Sequence, residues 1–306
     1  MRKNKPSMTA RKVAGDFLFR VEDPEIAKLA PKGSVAATYD VLEAAGMLKP
    51  WMVSLIKAPW YQKFGSAVEK SILDGQTLHL VLRKRFLNDE VCDAIAAGAS
   101  QVLVVGGGYD TLCMRLAAEY PAVTFLELDH PATHAVKAKA VESIGAGRPN
   151  LHLQGVDLAD RSLASVLEES AFWSTEAKSA VVAEGVLMYL SEEEVLAFLE
   201  AVRSNSAAGS RLLFTYVFEG ALTRKNLGWL GGVLTVFLKL SGEPFDWGVP
   251  ENGIESFLNA RGFRVLGDES RFDFKKRYLE PAGLGDRTTA RLERVVAAKV
   301  AVTSPG

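Results

Sequence analysis

Apolar and polar positions divide the chain into two regimes. Residues 10–95 show helical spacing without a clear alternating strand, and Pro24, Pro31, Pro50 and Pro59 break the run. A longer helical stretch is predicted from about Gly65 to Ala97. After it the pattern becomes strand, turn, helix, repeated. QVLVV (101–105) is a short continuous apolar run, as expected of a parallel strand buried on both faces. TLCMRLAAEY (111–120) is helical, VTFLELD (123–129) a second strand, and HPATHAVKAKAVESI a helix with Pro131 in its first turn. NLHLQGVD (150–157), SAVVAEGVLMYL (179–190) and RLLFTYVFE (211–219) complete five strands, with helices in ADRSLASVLEES and SEEEVLAFLEAVR between them. Ser191 followed by Glu194 is a capping box. IESFLNARGFRVLGDES reads as a helix stopped by Gly262 and then a strand; ARLERVVAAKVAV fits a last strand or a helix, with a helix running into an edge strand preferred.

This order implies right-handed crossovers and an α/β fold, a doubly wound, mostly parallel sheet of seven strands. The predicted organisation is an N-terminal helical cap at 1–95 and a ligand-binding domain at 96–306. An apolar insertion at 220–250 carries Trp229, Phe237, Phe245 and Trp247 and is expected to be a helical lid over an acceptor pocket.

Composition narrows the function classes. Hydrophobic residues make up 48% and charged residues 24% of 306, an ordinary globular balance. With 36 basic and 37 acidic residues the net charge is −1, so no global field attracts nucleic acid. The basic start MRKNKPSMTARK lacks the apolar core of a signal peptide and reads as a frayed tail, with Met8 an alternative start. LGWLGGVLTVFL (227–238) falls short of the roughly 20 residues of a membrane span, so no membrane partner is expected. Cys92 and Cys113, outside any CxxC, suggest a reducing, cytoplasmic setting. His130 and His134 have the spacing of a helical metal pair but lack the Glu of HExxH, and no metal site is predicted.

The chemistry concentrates at VVGGGYD. In a doubly wound sheet, ligands bind beyond the carboxyl ends of the strands, and this glycine turn ends the first strand of the repeat. Gly106 and Gly108 match the first two glycines of a dinucleotide fingerprint, but Thr111 stands where the third belongs. Glu127 and Asp129 end the second strand, about 20 residues on, where a carboxylate accepts from ribose hydroxyls. NAD and S-adenosyl-L-methionine both carry such a ribose. Asp110 lies where a pyrophosphate would sit and would repel it, whereas a sulfonium and an ammonium would be attracted. Asp157 ends the third strand, placed to accept from an adenine amino group, with Leu158 beside it to pack on the ring. Glu184 ends the fourth strand; a carboxylate there needs a partner, either a ligand ammonium or an Arg or Lys.

Linked motifs carry a resemblance: LRKRFLNDEV (82–91), QVLVVGGGYDTLCMRL (101–116), FLELDHP (125–131), GVDLAD (155–160), AEGVLMYLSEEEV (183–195), GEPFDWGVPENGIESFLNARGFRVL and KRYL (276–279). Together they resemble the leucine carboxyl methyltransferase family, most closely its bacterial branch of small-molecule O-methyltransferases. The resemblance implies a Rossmann-like class I methyltransferase fold and S-adenosyl-L-methionine as cofactor. It implies that Gly106 and Gly108 line the methionine part, Asp129 takes the ribose, and Asp157 and Leu158 frame the adenine. Glu184 then sits near the ligand's amino group, an arginine of RKRF binds its carboxylate (Arg83 in preference to Arg85), and Tyr189 faces the acceptor. The turn departs from the family form GAGLDTR: Gly107 replaces Ala, an exchange expected to be mild, Tyr109 replaces Leu, and Leu112 replaces Arg. Arg115 keeps a later family arginine.

The predicted activity is methyl transfer to a carboxylate or hydroxyl of a small, largely apolar, polyketide-like acceptor of secondary metabolism. All four histidines precede residue 153, so the carboxyl-terminal acceptor region has no histidine base. Tyr189 or Tyr216 could orient an acceptor. A carboxylate is already ionised at neutral pH, so a carboxylate or acidic phenol is favoured. The alternatives are a protein C-terminal carboxyl methyltransferase, an NAD-dependent oxidoreductase, which the missing Tyr-x-x-x-Lys pair disfavours, and a non-enzymatic adenosyl-binding protein.

Overall fold

A computed structural model describes residues 6–72, 74–218 and 245–301. Six helices come first: α1 (Met8–Val21), α2 (Pro24–Ala27), α3 (Ser34–Ala44), α4 (Pro50–Lys57), α5 (Pro59–Ile72) and α6 (Gln76–Ala96). Strands and helices then alternate: β1 (Gln101–Val105), α7 (Leu112–Glu119), β2 (Thr124–Asp129), α8 (Pro131–Ser143), β3 (Leu151–Gly155), α9 (Leu163–Glu168), β4 (Ser179–Ala183), α10 (Glu192–Ser204) and β5 (Arg211–Val217). A helix at Ile254–Asn259 precedes β6 (Phe263–Glu269), and β7 (Glu293–Val300) follows a wide helical turn at Lys275–Leu279.

The sheet has seven strands in the order β3-β2-β1-β4-β5-β7-β6. β1 to β5 are parallel, and β7 runs antiparallel between β5 and β6. Every residue of β1 and β4 is buried, which explains why both read as unbroken apolar runs. Alternation along β1 splits the core into two faces. Val102 and Val104 join a cluster with Phe17, Leu18, Val41, Leu82 and Phe86, so the N-terminal helices share the core of the sheet. Leu103 and Val105 join Leu167, Phe198, Leu199 and Leu258 on the other face. The strand order reverses between β1 and β4, and that switch point opens the crevice where ligands of such sheets bind.

Several expected boundaries move. The helical run from Gly65 to Ala97 is two helices, divided at Gly75. Gly75 has φ +77°, and a Cβ there would lie 2.3 Å from the carbonyl oxygen of Thr288, so neither conformation nor space admits a side chain. The fourth strand stops at Ala183 rather than Leu190. Gly185 turns the chain with φ +65°, and Leu187 and Met188 are buried from a 3₁₀ turn instead. The last segment carries a strand at Glu293–Val300 with no helix before it, and β7 is interior rather than at the edge. It hydrogen-bonds on both sides, so its apolar residues reflect a central position that linear spacing does not reveal. The capping box at Ser191 is present, and Gly262 (φ +80°) ends its helix. Of the predicted insertion at 220–250, only 245–250 lie among the described residues, and Trp229 and Phe237 fall outside them. Among the described residues no helix is long and apolar enough to cross a membrane.

Candidate functional site

The glycine turn closes over the carboxyl end of β1. The amide of Gly106 donates to the carbonyl of Leu128, tying the turn to β2. Gly106 and Gly108 adopt φ +68° and +54°. Gly107 has an ordinary φ, but a Cβ there would stand 2.6 Å from Cδ of Glu127. The Ala-to-Gly departure at 107 is therefore not a neutral exchange in this chain: the space is filled by a buried carboxyl. Glu127 itself pairs with buried Lys137. Burial pushes the Glu127 carboxyl up to about 7, against the pull of the Lys137 ammonium.

Of the two ribose candidates, this leaves Asp129 at the strand end. Its carboxylate accepts from the amides of Gly108 and, at 2.6 Å, His130. Burial raises the Asp129 carboxyl pKa, and those two amides oppose the rise. Asp157 lies after β3, with Oδ1 accepting from the amide of Ala159 at 3.0 Å. Leu158 is 37% exposed, leaving apolar surface beside the carboxylate. His130 links the two strand ends: its Nε2 stands 3.6 Å from Oδ2 of Asp157. Gly106, Gly108, Asp129 and Asp157 thus share one rim.

Behind that rim runs a buried chain of charges. Nε of Arg83 donates to Oε1 of Glu184 at 2.8 Å, and its Nη1 donates to both oxygens of Glu293 at 2.7 Å. Lys84 pairs with Asp110 and lies 3.2 Å from Oε2 of Glu184. His79, fully buried, places Nε2 3.4 Å from Glu293. Burial works against ionised Asp110, but the Lys84 ammonium outweighs it and holds the carboxyl well below its usual range. Arg83 likewise overcomes burial to bring Glu293 down to about 2. Asp110 also bonds the first turn of α7: its Oδ1 accepts from the amide of Leu112 at 2.7 Å, two residues on. A narrow cleft lies here, lined by Phe17, Lys84, Asp110, Thr111, Arg115 and Glu184 among others.

Arg83 and Glu184, which the resemblance assigns to the carboxylate and the amino group of the cofactor's methionine part, bond to each other. Arg85 lies away from them and pairs with Asp89 at 2.9 Å. Arg115 donates to Oδ1 of Asn88 and the carbonyl of Lys32, joining α7 to the N-terminal helices. Lys84, Glu293 and His130 carry much of the geometry, yet none was singled out for it in the sequence. Lys84 had a signal, since it sits inside RKRF. Glu293 had none, because only the fold brings β7 to α6.

Tyr189 ends the 3₁₀ turn after β4, with its ring 5.4 Å from Phe245. Met188, Val217, Phe218 and Leu292 complete this apolar cluster at the end of β5. Trp247 is instead core, packed against Phe214 and Phe257. The Tyr216 hydroxyl donates to Asp268 at 3.0 Å, and Arg294 braces the same carboxylate.

Solved structures share this architecture. A DUF574 family protein from Streptomyces avermitilis superposes with a TM-score of 0.60 at 14% identity, over 88% of this chain and 97% of that one. A protein from Thermobifida fusca gives 0.56 at 16% identity, over 91% and 98%. Among sequence relatives, a Mycobacterium avium protein provisionally named an S-adenosyl-L-methionine-dependent methyltransferase is 34% identical over 146 residues, 47% of each chain. A Bacillus subtilis protein with the same provisional description is 26% identical over 169 residues, 55% of each. The chain thus spans about half the length of the curated relatives it matches. The model of the leucine carboxyl methyltransferase family matches residues 22–203, more than half of this sequence, and the chain belongs to that family.

Proposed function

We propose that this chain is an S-adenosyl-L-methionine-dependent O-methyltransferase acting on a carboxylate or hydroxyl of a small, largely apolar acceptor. The observation that carries the cofactor choice is Asp110. Helix N-termini bind phosphate through free amides and a positive dipole end. Here the Asp110 carboxylate, paired with Lys84, already takes the Leu112 amide at the start of α7, so that amide is not open to a pyrophosphate. A cationic adenosyl ligand meets no such conflict, and the acids Asp129, Asp157 and Glu184 flank the same turn. The residues present fit that ligand.

Gly106 and Gly108 would border the methionine part, Asp129 the ribose, Asp157 and Leu158 the adenine, and Glu184 the ammonium. Arg83 would meet the carboxylate through Nη2, the edge that faces Gly185, since Nε and Nη1 are engaged by Glu184 and Glu293. When bound, the cofactor supplies a sulfonium methyl group, which needs in-line approach of a nucleophile. The protein's part is positioning and exclusion of water. An ionised carboxylate acceptor needs no base. Tyr189 packs in the apolar cluster of Met188, Phe218 and Phe245 and would orient the acceptor there, whereas the Tyr216 hydroxyl bonds to Asp268. That wall supports an apolar acceptor, and the free thiols of Cys92 and Cys113 support a cytoplasmic setting. On this reading the chain would act in secondary metabolism.

The test is an assay with methyl-labelled cofactor and a panel of apolar carboxylic acids and phenols. Base-labile methyl esters or phenyl methyl ethers are expected. Label found only on a protein C-terminus or an aliphatic alcohol would contradict the acceptor assignment.

A further inference from the structure

The loops after β2 and β3 meet through one side chain the predicted site does not use. His130 is the N-cap of α8, and its Nδ1 accepts from the amide of Ala132 at 3.3 Å. An imidazole nitrogen that accepts carries no proton, so in the neutral ring the hydrogen sits on Nε2. Nε2 faces Oδ2 of Asp157 at 3.6 Å, within ion-pair range but longer than a formed hydrogen bond. Asp157's other oxygen is held by the amide of Ala159. The backbone is tied as well, because the amide of Val156 donates to the carbonyl of Asp129. The carboxylate is therefore held at Oδ1, and Oδ2 faces His130.

We infer that His130 is a positioning residue that aims Asp157 at the exocyclic amino group of adenine, and so sets the preference for an adenine base. This rests on the cofactor reading above. The helix cap locks the tautomer, the tautomer points a donor at Asp157, and the carboxylate keeps its free lone pairs turned toward the base. An amino group donates to such a carboxylate, whereas the carbonyl oxygen of hypoxanthine would face it lone pair to lone pair.

The test is calorimetric binding of S-adenosylhomocysteine and S-inosylhomocysteine to the full chain and to His130→Asn, Asp157→Ala and the double variant. Asparagine still caps a helix but is too short to reach Asp157. The Asn variant should keep the melting temperature, bind the adenosyl ligand about two- to fivefold more weakly, the range for a contact at ion-pair distance, and bind the inosyl ligand as before. In the Asp157→Ala background the same change should add no further loss. Wild-type affinity and discrimination in His130→Asn, or additive losses in the double variant, would overturn the inference and leave His130 as a cap alone. Failure of the wild-type chain to bind either ligand would instead overturn the cofactor reading, and this inference with it.

Discussion

Arg83 and Glu184 form a 2.8 Å ion pair between residues far apart in sequence, one on α6 and one just beyond β4. The pair fastens the N-terminal helices to the strand ends at the switch point of the sheet. Both side chains are largely buried, and Glu293 and Lys84 complete their coordination. Removing one member leaves opposite charges without compensation. Glu184→Ala should destabilise the fold by about 3 to 5 kcal/mol, read as a drop in the denaturant midpoint. A change within experimental error would mean the network is solvated and contributes little.

Gly107 lies over Glu127, and a methyl group there would stand 2.6 Å from the carboxyl carbon. Gly107→Ala should therefore destabilise by about 1 to 3 kcal/mol, the range for overpacking a filled core. Thermal unfolding of the variant measures this directly. Full stability would show that the Glu127–Lys137 pair can shift to make room.

Glu127 also predicts a pH dependence. Its folded pKa is raised from 4.5 to about 7, so folding favours its protonated form. The stability it contributes is complete below about pH 4.5 and drains away as pH rises through about 7. Glu293 has the opposite sign: its folded value near 2 gives stability above pH 4.5 that is lost on acidification toward 2. Urea unfolding from pH 4.5 to 7.5 should show a flatter stability profile for Glu127→Gln than for the parent chain. Parallel profiles would assign the slope to other groups.

The Tyr109 ring is 2% exposed, and its hydroxyl has no hydrogen-bond partner within the described residues. Burial, followed by the nearby Asp129 carboxylate, pushes the phenol up to about 12. Tyr109→Phe should leave stability unchanged or raise it by about 1 kcal/mol, because the lost hydroxyl makes no bond to be missed. A clear drop in melting temperature would reveal a partner for the hydroxyl, such as an ordered water.

Local signals made much of this legible. β1 and β4 read as buried strands because parallel sheets need apolar residues on both faces. Ser191, Pro131 and Gly262 marked helix ends through capping chemistry that depends only on neighbours in sequence. Motif spacing placed Gly106, Gly108, Asp129 and Asp157 along one rim. What escaped was set by tertiary neighbours. The interior position of β7 depends on strand order, and the partners of Arg83 come from β4 and β7. The packing of Gly107 against Glu127 joins two strand ends. By residue type alone Asp129 and Glu127 were equivalent in FLELD; both lie on one face of β2, and depth along the strand separates them, Glu127 pairing with buried Lys137 and Asp129 standing at the strand end against the Gly108 amide.

On the proposed function, the glycine turn holds a cationic adenosyl ligand rather than a dinucleotide. Calorimetric titration of the full chain with S-adenosylhomocysteine and with NAD tests it most directly. Saturable, stoichiometric binding of S-adenosylhomocysteine with no heat from NAD is the predicted result. Saturable NAD binding without S-adenosylhomocysteine binding would contradict it.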